Sequence, residues 1–149
     1  MEKTLTIRKA QASDVMDVYA MINILEACTF DPSRFRTIFL NNIEQSLYHY
    51  FVAAYDGEVV GFMSCHGAYL LHHNGLVFEI QELVILPAYR SLGIGRSMLE
   101  FLELFLEQHY EYDMLELCSN FTRKEAHRFY LSNGYEQTHF KFTKRPKRK

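Results

Sequence analysis

The apolar positions between Glu79 and Glu107 change period partway along the segment. Ile80, Leu83, Val84, Ile85 and Leu86 form an apolar run of strand length, stopped by Pro87, which has no N–H for a sheet ladder. From Met98 the apolar residues Met98, Leu99, Leu102, Phe105 and Leu106 recur at helical spacing, while Glu100, Glu103 and Glu107 mark a solvated face. The pattern predicts a strand, a turn and an amphipathic helix. Between them, Arg90-Ser91-Leu92-Gly93-Ile94-Gly95-Arg96 is a glycine-containing loop that feeds the helix N-terminus.

The same reading extends to the rest of the chain. Leu5 and Ile7 alternate with polar residues and predict a first strand. Ser13 is placed to cap a helix with Val15, Val18, Tyr19, Ile22 and Leu25 on its apolar face. Asp31-Pro32 opens a second helix whose stripe is Phe35, Ile38, Phe39 and Ile43. Residues 50–55 and 58–66 are aromatic and β-branched, and Asp56-Gly57 between them signals a hairpin. Asn74-Gly75 makes a further turn into the central strand, and residues 114–118 form a short strand. Thr122 and Glu125 have capping-box spacing at the start of a helix that Gly134 can close, and residues 135–142 are expected to form the final strand.

Composition narrows the class. With 149 residues, 48% hydrophobic and 23% charged, the chain is expected to be one soluble domain over residues 1–143, followed by a basic, solvated tail over 144–149. That tail holds five of the 16 basic residues, leaving 11 against 18 acidic ones in the body, an imbalance that argues against nucleic-acid binding. No apolar run approaches the roughly 20 residues of a bilayer span, so no membrane partner is expected, and the absence of a signal-like start points to a cytoplasmic location. Cys28, Cys65 and Cys118 are widely spaced and odd in number, which predicts reduced, buried thiols.

Candidate chemistry begins at the loop. The first amides of a helix lack internal partners and its dipole is positive at that end, so the loop-to-helix junction suits a diphosphate; Gly93 and Gly95 permit close approach, and Arg90 and Arg96 can add charge. Two glycines after a strand also make ordinary turns, and the P-loop lysine and the three-glycine dinucleotide spacing are both missing.

The strand, the proline and Arg90-x-x-Gly93-x-Gly95 opening an amphipathic helix resemble the acetyl-CoA signature of the GCN5-related N-acetyltransferases, the GNAT superfamily. Asn120 after the short strand, and Ala126-His-Arg-Phe-Tyr130 leading to Gly134-Tyr135, resemble the later motifs of that family. Within it, His72-His73-Asn74, the run from Glu79 to Val84, and Gly134-Tyr-Glu-Gln-x-His139-Phe are similar to the aminoalkylphosphonate N-acetyltransferases. The resemblance implies an α/β (α+β) GNAT fold, with a mixed, mostly antiparallel central sheet of about six or seven strands flanked by about four helices. It implies acetyl-CoA as cosubstrate, held by Leu83, Val84, the segment from Arg90 to Arg96, Asn120 and Tyr130, and it admits a homodimer.

The acceptor is then a small primary amine, plausibly an aminoalkylphosphonate, which attacks the thioester directly. Glu79 lies eleven residues before Arg90, the spacing of the base in the histone-acetylating branch of the superfamily. Glu82 is the reserve base if a bulge brings it to the same face. A backbone N–H of Leu83 or Val84 is placed to meet the thioester oxygen, and Tyr130 to protonate the departing thiolate. Arg34 and Arg36 belong to the wall of the acceptor site in this resemblance. The phosphonate branch further implies a divalent metal ion, for which His66, His72 and His73 are candidate ligands, although adjacent histidines in an extended segment point opposite ways. Acetylation of a protein or peptide amine, and a non-catalytic acyl-CoA-binding regulatory module, are the competing readings.

Overall fold

The computed structural model describes residues 4–147; the ends of the expected first segment and of the basic tail, residues 1–3 and 148–149, lie outside the described residues. The chain divides into two compact units, residues 1–117 and 118–149. The first unit holds a five-stranded sheet in sequence order: β1 (Leu5–Lys9), β2 (Tyr48–Tyr55), β3 (Glu58–Leu70), β4 (Gly75–Ile85) and β5 (Met114–Leu117). Neighbours from β1 to β4 are antiparallel, and β5 adds parallel to β4 after the crossover helix. Helices α1 (Val15–Glu26) and α2 (Pro32–Asn42) lie between β1 and β2, and α3 (Ile94–His109) lies between β4 and β5. The second unit contains α4 (Lys124–Ser132). No helix among the described residues is long and apolar enough to cross a membrane.

Strand alternation divides the sheet between two helical layers. Val52, Phe62 and Val84 pack with Val15, Val18, Met21 and Ile22 of α1 and Phe39 of α2. On the opposite face, Phe51 meets the rings of Phe101 and Phe105 of α3, and Gly61 brings the backbone so close that an added Cβ would lie 3.1 Å from the Met98 sulfur. The apolar stripe of α3 fits its expected face: Met98, Leu99, Leu102 and Leu106 are buried. In α2 the stripe is narrower than its periodicity implies, since Phe39 is buried while Ile38 is half exposed.

Local signals mostly become local structure. Asp31 accepts a hydrogen bond from the Arg34 amide at 2.8 Å, with Pro32 in the first turn of α2. Asp56 and Gly57 both take positive φ, the requirement of a two-residue hairpin turn whose twist matches its strands. Gly134 closes α4 at φ 91°, with its N–H bonded to Leu131 and that of Tyr135 to Tyr130, both at carbonyl oxygens.

Four expectations are corrected. Ser13 does not cap α1; it sits inside a short 3-10 turn, Ala12–Asp14, and the polar partner at that corner is Asp14. The Thr122 hydroxyl donates to Asn120 Oδ1 at 2.7 Å, and α4 starts after Arg123 with no side-chain cap. Residues 135–142 form no strand, so the sheet has five strands and not six or seven: Phe140 and Phe142 are exposed, and an alternating segment without a neighbouring ladder has nothing to fix it as β. Cys65 is buried as expected, but Cys28 and Cys118 are exposed thiols.

Asp14 ties β1 to the start of α1. Its carboxylate takes two hydrogen bonds from the Arg8 guanidinium, at 2.8 and 2.9 Å, and one from the Gln11 amide at 2.7 Å. The Arg8 bonds hold the Asp14 carboxyl below its usual range, although burial works against them. Asp14→Asn is therefore expected to cost about 1–2 kcal/mol at neutral pH, toward the low side because Arg8 is open to solvent on one flank. A depressed carboxyl contributes stability above its unfolded pKa and loses it as pH falls through its folded pKa. Chemical denaturation of the two proteins should thus diverge at pH 7 and converge in acid.

Candidate active site

One irregularity in the sheet determines which side chains share a face. Cys65 pairs with Ile80 and Ser64 with Glu82, so Gln81 is an extra residue of β4 with no counterpart on β3. In an unbroken strand Glu79 and Glu82, three positions apart, would point to opposite sides. The bulge returns both carboxylates to the side of their partners, His66 and Ser64, while Gln81 is pushed out and exposed. Across β3, Tyr48 lies opposite His66 and Tyr50 opposite Ser64. Tyr50 also belongs to the core against α1 and α2, which assigns this group to the α1/α2 side of the sheet.

These polar groups are interlocked. Asn42 Nδ2 donates to the Tyr50 hydroxyl at 2.8 Å, and that hydroxyl lies 3.0 Å from His66 Nε2. The Tyr48 ring stacks on the His66 imidazole with centroids 3.6 Å apart. Burial pushes the Tyr50 phenol up to about 12 and lowers the His66 pKa, the latter against the pull of the Glu79 charge. Glu79 accepts a hydrogen bond from Gln81 Nε2 at 2.8 Å.

Glu82 has the environment of a base. Burial raises its pKa, the Ser64 hydroxyl at 2.8 Å opposes the rise, and the negative charge of Glu26 at the end of α1 adds to it. A desolvated carboxylate whose pKa moves toward neutrality is better matched to proton transfer than one held at its ordinary value. Glu79, expected first from spacing, and Glu82, expected in reserve, share one face, and Glu82 is the one bonded to the buried Ser64 hydroxyl.

The same strand exposes an amide. β5 pairs only with residues 77–80 of β4, so the edge beyond Ile80 has no strand on that side within the first unit. The Glu82 N–H points to Ser64 on β3, at 3.1 Å from its hydroxyl oxygen. Alternation turns the next amide, that of Leu83, to the open edge and returns that of Val84 toward β3.

Ten residues on, Ser91 and Gly93 take φ of 65° and 81° and swing the chain into α3 at Ile94. No side chain caps this helix, so the amides of Ile94, Gly95 and Arg96 face outward unpaired, as the geometry of a helix start requires. Nothing lies within 4 Å of where a Cβ on Gly93 would stand. Arg90 bonds back to the Ile85 carbonyl oxygen at 3.2 Å, Arg96 pairs with Glu100 at 3.0 Å, and Leu92 is exposed. This cradle fits a diphosphate by charge, by donors and by open space.

Two further predicted residues lie beyond the first unit. Asn120 and Tyr130 belong to the second unit. Asn120 Oδ1 accepts from the Thr122 amide and hydroxyl, while its carbonyl accepts from His127 Nε2. Tyr130 is half-buried, and burial raises its phenol pKa against the lowering effect of Arg123.

The histidine set does not fit a metal centre. β3 continues to Leu70 and a 3-10 turn holds Leu71–His73, so His72 and His73 lie roughly 20 Å of extended chain beyond His66. His66 is engaged by Tyr50, His73 pairs with Asp113 at 2.6 Å, and His72 is exposed. Among the described residues, no group of three or more His, Cys, Asp or Glu side chains can hold an ion. Sequence reasoning also missed Tyr48, Tyr50, Asn42 and Ser64, which only the register brings beside the carboxylates.

A family model described as an acetyltransferase (GNAT) domain matches residues 46–137, which span the hairpin, the bulged strand, the cradle and α4. The chain belongs to the GNAT acetyltransferases. It is 42% identical over 138 residues, 93% of its own length and 89% of the relative's, to a protein named aminoalkylphosphonate N-acetyltransferase from Salmonella typhimurium. Among solved structures, its fold is similar to that of an aminoglycoside N-acetyltransferase in complex with CoA, with TM-score 0.85, 13% identity and coverage of 98% and 97% of the two chains. It is also similar to a transcriptional regulator from Bacillus halodurans, with TM-score 0.87, 19% identity and coverage of 95% and 99%. These structural likenesses extend the GNAT fold over nearly the whole chain.

Gly95→Asp separates helix stability from anion binding at the GNAT cradle. A carboxylate in the first turn favours the helix dipole by about 0.3–1 kcal/mol, yet it repels a diphosphate from the same amides. Calorimetry is expected to show acetyl-CoA affinity reduced about tenfold or more, with thermal stability retained.

Proposed function

We propose that this acetyltransferase moves the acetyl group of acetyl-CoA to a small primary amine, and that the amine is an aminoalkylphosphonate. The observation that carries the reaction is the pair of carboxylates brought to one face by the Gln81 bulge, with the Leu83 amide turned to the open edge beside them. The likeness to the Salmonella protein over 93% of the chain supports the choice of acceptor.

Acetyl-CoA, when bound, supplies the acetyl group as a thioester. Glu82 accepts the proton that the acceptor ammonium must lose before its nitrogen can attack, directly or through one water. The Leu83 amide donates to the carbonyl oxygen as it gains negative charge. Once the C–N bond has formed, the C–S bond breaks and the thiolate takes the phenolic proton of Tyr130, while the second proton that the acylated nitrogen must lose passes through solvent and restores the phenol. Glu26, Glu79 and Glu82 make the region electronegative, which favours the ammonium end of the acceptor. Arg34 and Arg36 on α2 are exposed, without an ion pair among the described residues, and are assigned to the phosphonate end.

Screening amines with acetyl-CoA tests the reading directly: aminoalkylphosphonates should be acetylated with the highest kcat/KM. Acetylation of other amines with none of the phosphonates would leave the acetyltransferase and remove this acceptor. Glu82→Gln is expected to lower kcat about a hundredfold to ten-thousandfold. It should also raise the melting temperature at pH 7–8. A carboxyl whose folded pKa is raised above its unfolded value costs stability progressively as pH rises from the unfolded to the folded pKa, and glutamine removes the cost; the difference should vanish in acid. Tyr130→Phe should lower kcat while leaving acetyl-CoA affinity near that of the parent protein.

A further inference from the structure

Ser64 is a fully buried hydroxyl on a sheet face otherwise filled by Val52, Phe62 and Val84. A buried hydroxyl requires partners, and both of its partners belong to one residue. Its Oγ donates to Glu82 Oε1 at 2.8 Å and accepts from the Glu82 backbone N–H at 3.1 Å. That amide follows the extra residue Gln81, so one hydroxyl bonds both the carboxylate and the backbone beside the bulge. The closed pair of bonds therefore fixes the Glu82 side-chain rotamer and the backbone that carries it.

Nothing else in the surroundings supplies the carboxylate with a hydrogen bond among the described residues. From α1 the neighbouring charge is Glu26, from β2 the titratable group is Tyr50, from β3 it is His66, and on β4 itself it is Glu79. Glu26 and Glu79 carry like charge, and the Tyr50 hydroxyl is already engaged by Asn42 of α2 and by His66.

We propose that Ser64 is a positioning residue for acetyl transfer, holding the Glu82 carboxylate ionised and aimed while pinning the bulge that brings it to the acceptor side of the sheet. This rests on Glu82 acting as the base. Without the hydroxyl, the carboxylate loses the donor that favours its charged form, and a buried amide loses its acceptor.

The experiment compares Ser64→Ala and Ser64→Cys, which remove the strong donor, with Ser64→Thr, which restores a hydroxyl. Acetylation is followed from acid to alkaline pH with whichever amine the parent protein acetylates. In parallel, the Glu82 side-chain carboxyl is titrated by carbon-13 NMR, its resonance identified by its loss in Glu82→Gln. Expected are a fall in kcat of about tenfold or more at neutral pH in the alanine and cysteine variants, a deficit that widens toward acid, and an upward move of the Glu82 titration. Threonine should recover both signals. A folded alanine or cysteine variant whose Glu82 resonance titrates as in the parent, with rate loss equal at every pH, would overturn the proposal. Full turnover in Glu82→Gln would instead remove the underlying assignment of the base, and the NMR titration separates the two failures.

Discussion

The extra residue at Gln81 puts two carboxylates on one side of this sheet. A regular β4 would send one of its two carboxylates into the layer beneath α3, among Met98, Leu102 and the ring of Phe51, where an ionised group has no solvent and no partner. With the bulge, Glu79 and Glu82 both face the α1/α2 side, next to tyrosines, an imidazole and an asparagine that satisfy one another. The bulge has its own cost, one interrupted ladder position, and the Ser64 hydroxyl offsets it by bonding the displaced Glu82 amide. Geometry and electrostatics at the site therefore have a common origin in register.

Stability is organised so that this region can remain polar. The large, fully buried side chains, including Phe51, Phe62, Phe78, Met98 and Leu102, lie in two apolar layers on either side of β2, β3 and β4. α3 serves both ends of the argument. Its buried stripe anchors one layer, and its uncapped N-terminus presents the amides of the cradle. A side-chain cap at that end would stabilise the helix by about 1 kcal/mol but would occupy amides that are otherwise open to an anion such as a diphosphate. The absent cap and the desolvated Glu82 are two cases of the same trade, local stability given up for a group held ready.

Much of this was legible in the sequence wherever the signal is local. Asp31-Pro32, Asp56-Gly57, Gly93 and Gly134 each encode a backbone conformation within a few residues, and each forms as read. The apolar stripe of α3 is likewise complete at helical spacing. What sequence could not supply is pairing. The bulge is a mismatch between two strands, so it has no signature in β4 alone, and the hydroxyl that bonds Glu82 comes from Ser64, eighteen residues away. The three histidines are close in sequence, but extended chain separates His66 from the touching rings of His72 and His73. Ser13 and Thr122 have the chemistry of caps, yet Asp14 and Asn120 provide the competing polar contacts that organise those turns. Residues 135–142 show that alternation without a partner strand does not make a β-strand.

Charge then constrains how an acceptor can lie. Three carboxylates, Glu26, Glu79 and Glu82, act on the same small region, where Arg8 is committed to Asp14, Arg90 to the Ile85 carbonyl oxygen and Arg96 to Glu100, while Arg34 and Arg36 of α2 have no ion pair among the described residues. A phosphonate placed beside the carboxylates would meet repulsion with no compensating cation, and the histidines that might have held an ion there are not gathered. An ammonium in the same position is attracted, and the aromatic rings of Tyr48 and Tyr50 add a face that tolerates positive charge. Under the proposed reading the acceptor binds as a dipole, amine toward Glu82 and anionic end directed toward α2. Its chain length then decides whether both ends are satisfied at once, and discrimination among acceptors falls on that separation more than on the affinity of either end.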